Sequence, residues 1–160
     1  MTDVSDDGSY LVRAHMIESK SKYRVNLFKW NKKNYKKEDS FILEEVVSKE
    51  HPDMTIGLAS QVHVNDKGDI VFLFNNIFDF TSYLAVFEKK QGLKKIVLGS
   101  DLGYEKDVNG CTENNPWICW NSPVSFKNNF FSLYAHDGHL IKLDVDSGEY
   151  EKTKSNWCPK

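Results

Sequence analysis

The chain has 160 residues, 13% of them aromatic and 28% charged, with a formal net charge of −2. Such aromatic content can fill a sizeable core, and near-neutrality excludes the general attraction to nucleic acid or anionic membranes that a strongly basic protein has, so nucleic acid is not an expected partner. No apolar run approaches the roughly 18 residues that span a bilayer, and the acidic, polar start from Met1 to Asp7 is the opposite of a secretory leader, so a protein of the cytoplasm or nucleus, off the membrane, is expected.

In chain order, a first strand is expected over Tyr10 to Ile17. It turns through Glu18 to Lys22 and returns as Tyr23 to Trp30. A lysine-rich tip, Asn31 to Asp39, leads to Phe41, Ile42 and Leu43, read as a strand continuing to Val47. Helix is the rival there, because Phe41, Ile42, Val46 and Val47 have partly helical spacing and Glu44 and Glu45 suit a helix. This unit, about Ser9 to Val47, lacks a first strand. The second unit, Ser60 to Gly99, begins with Gln61 to Val64 and turns at Asp66-Lys67-Gly68. Asp69 to Asn75 then carries Ile70, Val71, Phe72, Leu73 and Phe74 without a break. Such a run suits a strand buried on both faces. A longer connection with Phe78 and Phe80 leads to Tyr83–Phe87, a turn at Gln91-Gly92 and an outer strand, Leu93 to Leu98.

Asn109 to Asn121 holds Gly110, Asn114, Asn115 and Pro116, the marks of an irregular loop, together with Trp117 and Trp120. The third unit, Ser122 to Lys154, is the clearest. Pro123, Val124 and Phe126 make a short strand, and Lys127-Asn128-Asn129 a turn, since Asn tolerates left-handed backbone angles. Phe130 to Ala135 follows, then Asp137-Gly138, a preferred hairpin dipeptide. His139 to Val145 has alternating character, Asp146-Ser147-Gly148 turns the chain, and Glu149 to Lys154 is polar, as an outer edge strand should be.

Repeats of roughly 40 residues with four strands each are the pattern of β-propeller blades. The expected fold class is therefore all-β, with antiparallel four-stranded blade-like repeats forming a partial β-propeller. A compact β-sandwich or other β-rich single domain over 1–160 is the alternative. Two full units and a three-stranded one do not close a ring of about four to eight blades. Either the arc belongs to a longer propeller, or it is a gene fragment, or it self-associates with a second copy.

The stretch Asn121 to Tyr150 resembles a blade of the kelch-like or F-box-associated propellers: a Pro-Val opening (Pro123-Val124), an aromatic strand ending in Asp137-Gly138, and an apolar strand ending in an acidic turn. Trp30 in Leu27-Phe28-Lys29-Trp30 resembles the third strand of such blades. The glycine pair usual in kelch blades is replaced by Ala135-His136, and no F-box pattern is recognisable. The resemblance implies a protein-binding propeller segment, with substrate recognition for a ubiquitin ligase as its family role.

The candidate partner-binding residues are Trp117, Trp120, Asn114 and Asn115, because loops between blades carry binding function and Trp is favoured at interface hot spots. The bland reading is that both indoles pack as core. His136-Asp137-Gly138-His139 reads as a turn rather than a metal site, since zinc takes four ligands. Cys111, Cys119 and Cys158 lack knuckle spacing and read as free thiols, with a Cys111–Cys119 disulfide the alternative in an oxidising setting. Lys29, Lys32, Lys33, Lys36 and Lys37 with Trp30 and Tyr35 could grip a nucleic-acid backbone, but the overall charge balance favours a solvated tip. No glycine-rich nucleotide loop or nucleophile elbow is present. No catalytic residue, metal or cofactor is expected, and a protein partner is. The alternative is a small-molecule or carbohydrate-binding domain, or a propeller-type hydrolase relative, in which Asp79, Asp101 and Asp107 would have to converge.

Overall fold

The computed structural model describes residues 1–18, 22–52, 58–75, 82–103, 124–135 and 138–155. Its strands form three four-stranded antiparallel sheets, each a meander in which sequence neighbours pair. The first contains β1 (Thr2–Val4), β2 (Tyr10–Glu18), β3 (Lys22–Trp30) and β4 (Tyr35–Ile42). The second contains β5 (Leu58–Val64), β6 (Ile70–Asn75), β7 (Ser82–Glu88) and β8 (Gly92–Leu98). The third contains β9 (Ser125–Lys127), β10 (Phe130–Tyr134), β11 (His139–Asp144) and β12 (Tyr150–Lys154). A helix, α1 (Leu43–Glu50), joins the first sheet to the second, and a short 3-10 turn, Ser100–Leu102, follows the second.

The all-β reading holds, and the sheets are blade-like. Within each sheet, pairing joins only consecutive strands. The chain then passes from the last strand of one sheet to the first of the next. The first strands lie together: β1 touches β5, and β5 touches β9.

The second sheet lies between the other two, and its sequence says why. Ile70, Phe72 and Phe74 point to the first sheet, where they join Tyr10, Val12, Ala14, Val25 and Leu27. Val71 and Leu73, alternating with them, point to the third sheet and join Phe131, Leu133, Ile141 and Leu143. An unbroken apolar run is what a period-two strand needs when both faces are covered. Phe72, Phe74 and Phe87 are fully or almost fully buried. Each contributes about 1.5–3 kcal/mol from removal of its ring from water.

Three expectations are corrected. The first unit does not lack its first strand. Thr2, Asp3 and Val4 pair with Arg13, Val12 and Leu11. A short edge segment of mixed polarity carries little periodicity, and the turn after it depends on side chains. Asp7 Oδ1 accepts from the Ser9 N–H at 2.8 Å and from the Ser5 hydroxyl at 2.9 Å. The second correction concerns Phe41 to Val47. The strand ends at Ile42 and Leu43–Glu50 is helical. Leu43 and Val47, four residues apart on one helix face, are both fully buried. The lysine-rich tip is also shorter than expected. Asn31 Oδ1 accepts from the Lys33 and Asn34 N–H groups, closing a tight turn, and Lys36 and Lys37 belong to β4. In the third unit the outer strand β12 is exposed along its whole length, as its polar sequence requires.

Candidate functional site

The tight turns between first and second strands meet at one end of the molecule, and polar side chains knit them together. Asn65 is fully buried there. Its Oδ1 accepts from the Lys67 N–H at 3.0 Å and the Asp69 N–H at 2.8 Å, shaping its own turn. Its amide nitrogen donates to the Asn128 carbonyl of the β9–β10 turn, tying the second sheet to the third. Asp66 Oδ1 accepts from the Asp7 N–H at 3.1 Å, tying the second sheet to the first. Lys127 and Asp6 form an exposed ion pair at 3.8 Å. Gly68, at φ +90°, lies where an added Cβ would meet the Tyr10 ring at 2.9 Å. The same ring takes Lys89 at 4.7 Å from its centroid, while the Lys89 ammonium donates to the Tyr10 hydroxyl at 2.6 Å.

The electrostatics follow these contacts. Bonds from the Ser9 hydroxyl and N–H hold the Asp7 carboxyl down to about 2. Burial pushes Asp3 up, but the His63 ring beside it and the Val64 N–H, which donates to Oδ2 at 2.9 Å, outweigh this and hold it below its usual value. Burial likewise opposes the charge on Lys89, yet the Tyr10 hydroxyl and nearby carboxylates leave its pKa raised. Lys94 and Asp146 bridge the second and third sheets, raising the lysine and lowering the carboxylate. Asp146 also accepts from Asn129, which in turn accepts from Lys67.

Two concavities lie elsewhere. One, of about 350 Å³, opens between the first and second sheets over Leu27, Phe41, Val46, Ile70 and Phe87, with Asp39, Glu88 and Lys90 on its lining. The other, about 610 Å³, is a groove on the third sheet along Phe130, Lys142 and Tyr150.

Trp117, Trp120, Asn114 and Asn115 lie outside the described residues, as do Cys111, Cys119, Cys158, His136, Asp137, Asp79 and Asp107. Asp101 Oδ2 accepts from the Leu98 N–H at 2.8 Å, a local cap at the end of β8. His139 pairs with Lys154 across β11 and β12. Among the described residues, no three His, Cys, Asp or Glu side chains are gathered as metal ligands, and no helix is long and apolar enough to cross a membrane. Sequence reasoning missed Asn65. The available signal was the Asn-Asp-Lys-Gly-Asp order at 65–69, which places an amide where it can organise a turn. Neither a protein-family model nor a curated protein sequence matches the chain.

Proposed function

We propose that this chain is a non-enzymatic protein-interaction domain of the cytoplasm or nucleus. In this reading it is a three-bladed segment of a β-propeller of kelch-like or F-box-associated kind, serving substrate recognition in a ubiquitin-ligase setting. The observation that carries the reading is the run of three consecutive blade-like sheets with their first strands side by side. Such a scaffold presents loops between blades for recognition. The loop from Asn109 to Asn121 takes the partner, with Trp117 and Trp120 as anchors and Asn114 and Asn115 as polar contacts. A second copy of the chain is one such partner. The test is quantitative affinity capture with the wild-type chain and a Trp117→Ala/Trp120→Ala variant. Partner proteins should be lost from the variant while its far-ultraviolet circular dichroism is unchanged. Loss of fold would assign the indoles to the core and end this reading of the loop.

One observation favours a second reading, a small-molecule-binding domain. The cavity over Phe41 and Val46 has the size and apolar floor of a ligand site. A sugar or metabolite that raises the melting temperature of the wild type, but not of a cavity-filling Val46→Phe variant, would support it.

A further inference from the structure

Charge is distributed very unevenly along this nearly neutral chain. Residues 10–37 hold nine of its 21 lysines and arginines and one of its 23 carboxylates, Glu18. The fold gathers three of these cations, Arg13, Arg24 and Lys37, on one surface. In the first sheet, Val12, Val25 and Leu27 point inward and are buried. Strand alternation turns their neighbours to the opposite face. Arg13 and Arg24 lie there on adjacent strands, one pairing with Asn26 and the other with His15, which sets them about 7–8 Å apart on a diagonal. Lys37 lies beside Phe28 on the same face. Arg13, Arg24 and Lys37 are exposed. The carboxylates of β4 do not neutralise them. Glu38 reaches Lys90 of the second sheet at 3.6 Å, and Asp39 lines the cavity between the sheets.

Aromatic rings share this face. Trp30 is 45% exposed. It pairs with Tyr35 across β3 and β4, the ring centroids 5.1 Å apart, and Phe28 lies two residues before it on β3. The Tyr35 hydroxyl donates to the Gly8 carbonyl at 2.7 Å, which fixes that ring in place. The face therefore combines cations that match a phosphate backbone with fixed π-surfaces that match unstacked bases. That combination suits single-stranded nucleic acid. A duplex would offer the charge but keep its bases stacked away from the rings, and an anionic membrane would use the charge alone. Overall net charge conceals this, because the acidic excess resides in the rest of the chain.

We infer that the outer face of the first sheet is a binding surface for single-stranded nucleic acid, held by Arg13, Arg24 and Lys37 through phosphates and by Trp30 and Tyr35 through stacking. This goes beyond the protein-interaction reading and uses a different surface. The test is fluorescence anisotropy of the full chain with a labelled oligouridine about 15 nucleotides long, titrated between about 50 and 200 mM salt. Binding should weaken with salt. Arg24→Glu with Lys37→Glu should weaken it at least about tenfold and reduce the salt slope by about 1.4. Trp30→Ala should weaken it by about 5- to 100-fold at unchanged slope, and Trp30→Phe should restore most of it. Lys154→Glu, on the third sheet, should leave it within about twofold. Circular dichroism of each variant separates misfolding from lost contact. The inference is overturned by absence of binding at low salt, by a duplex bound as tightly as the single strand, or by Trp30→Ala binding like the wild type. It is equally overturned if phosphatidylserine vesicles compete with no dependence on Trp30, or if light scattering shows a dimer that Arg24→Glu/Lys37→Glu dissociates, since a second copy then covers the face.

Discussion

In β6, Phe72 and Leu73 are consecutive, point to opposite faces and are both fully buried. In β2, Val12 is buried while Leu11 is only partly covered and Arg13 reaches solvent. The backbones are the same kind of antiparallel strand. What differs is the number of sheets packed on them. Among the described residues, the second sheet has a neighbour on each side, and the first has one. The comparison shows that residue pattern reports the stacking order of the sheets. A continuous apolar run marks the strand with two neighbours, and alternation with Arg, Lys and aromatic residues marks the face left to make other contacts.

The comparison breaks most severely at Phe72. Phe72→Ala should cost about 3–5 kcal/mol, because the ring is fully enclosed and the site between two sheets can collapse only partly; chemical denaturation measures it. Asn65→Ala comes next. It leaves the partly buried N–H groups of Lys67 and Asp69 without their acceptor and cuts the tie to Asn128, and should cost about 1–3 kcal/mol. Differential scanning calorimetry should show a lowered melting temperature with no loss of strand content at low temperature.

Asp3→Asn sharpens the comparison by loosening β1 from β5, with an effect of about 1 kcal/mol or less because Asp3 is partly exposed. Its pH dependence has a definite sign. Asp3 lies below its unfolded value of about 3.9 when folded. Its stabilisation is therefore present in full above that value and disappears as pH falls through the lowered one. The stability gap between wild type and Asp3→Asn should be constant near neutrality and close on acidification below about pH 4. The smallest effect belongs to the outer edge. Lys154→Ser on β12 should change stability by less than about 0.5 kcal/mol, and a larger loss would mean that this strand is covered by something else.

Much of this was legible from residues alone, where the apolar pattern or the turn chemistry was strong. Ile70 to Phe74 announced a strand covered on both sides, and the Asn128, Gly138 and Gly148 turns lie at positive φ, as turn chemistry anticipates. Legibility failed where local preference and tertiary context diverged. Thr2 to Val4 is too short to show a period and becomes a strand only because β2 offers an edge. Leu43 to Val47 suits strand or helix, and the buried slot beside β3 and β8 decides for helix. Asn65 could be read as a turn residue, but not as a link to Asn128, because the partner lies 63 positions away. The charged face was hidden for a similar reason. Its residues come from three strands, and only the register shows that Arg13, Arg24, Lys37 and Trp30 share a surface.

The two apolar clusters have a mechanical consequence. Among the described residues, no first-sheet residue belongs to the cluster shared by the second and third sheets, and no third-sheet residue belongs to the cluster shared by the first and second. Each sheet is also closed by hairpins between sequence neighbours, so its own assembly needs no distant partner. Under load or partial denaturation the molecule should therefore come apart like a stack, from an end inward. The third sheet can peel away while the first remains seated on the second, and the asparagine clasp between the 65–69 and 127–129 turns resists that peeling together with the Lys94–Asp146 pair.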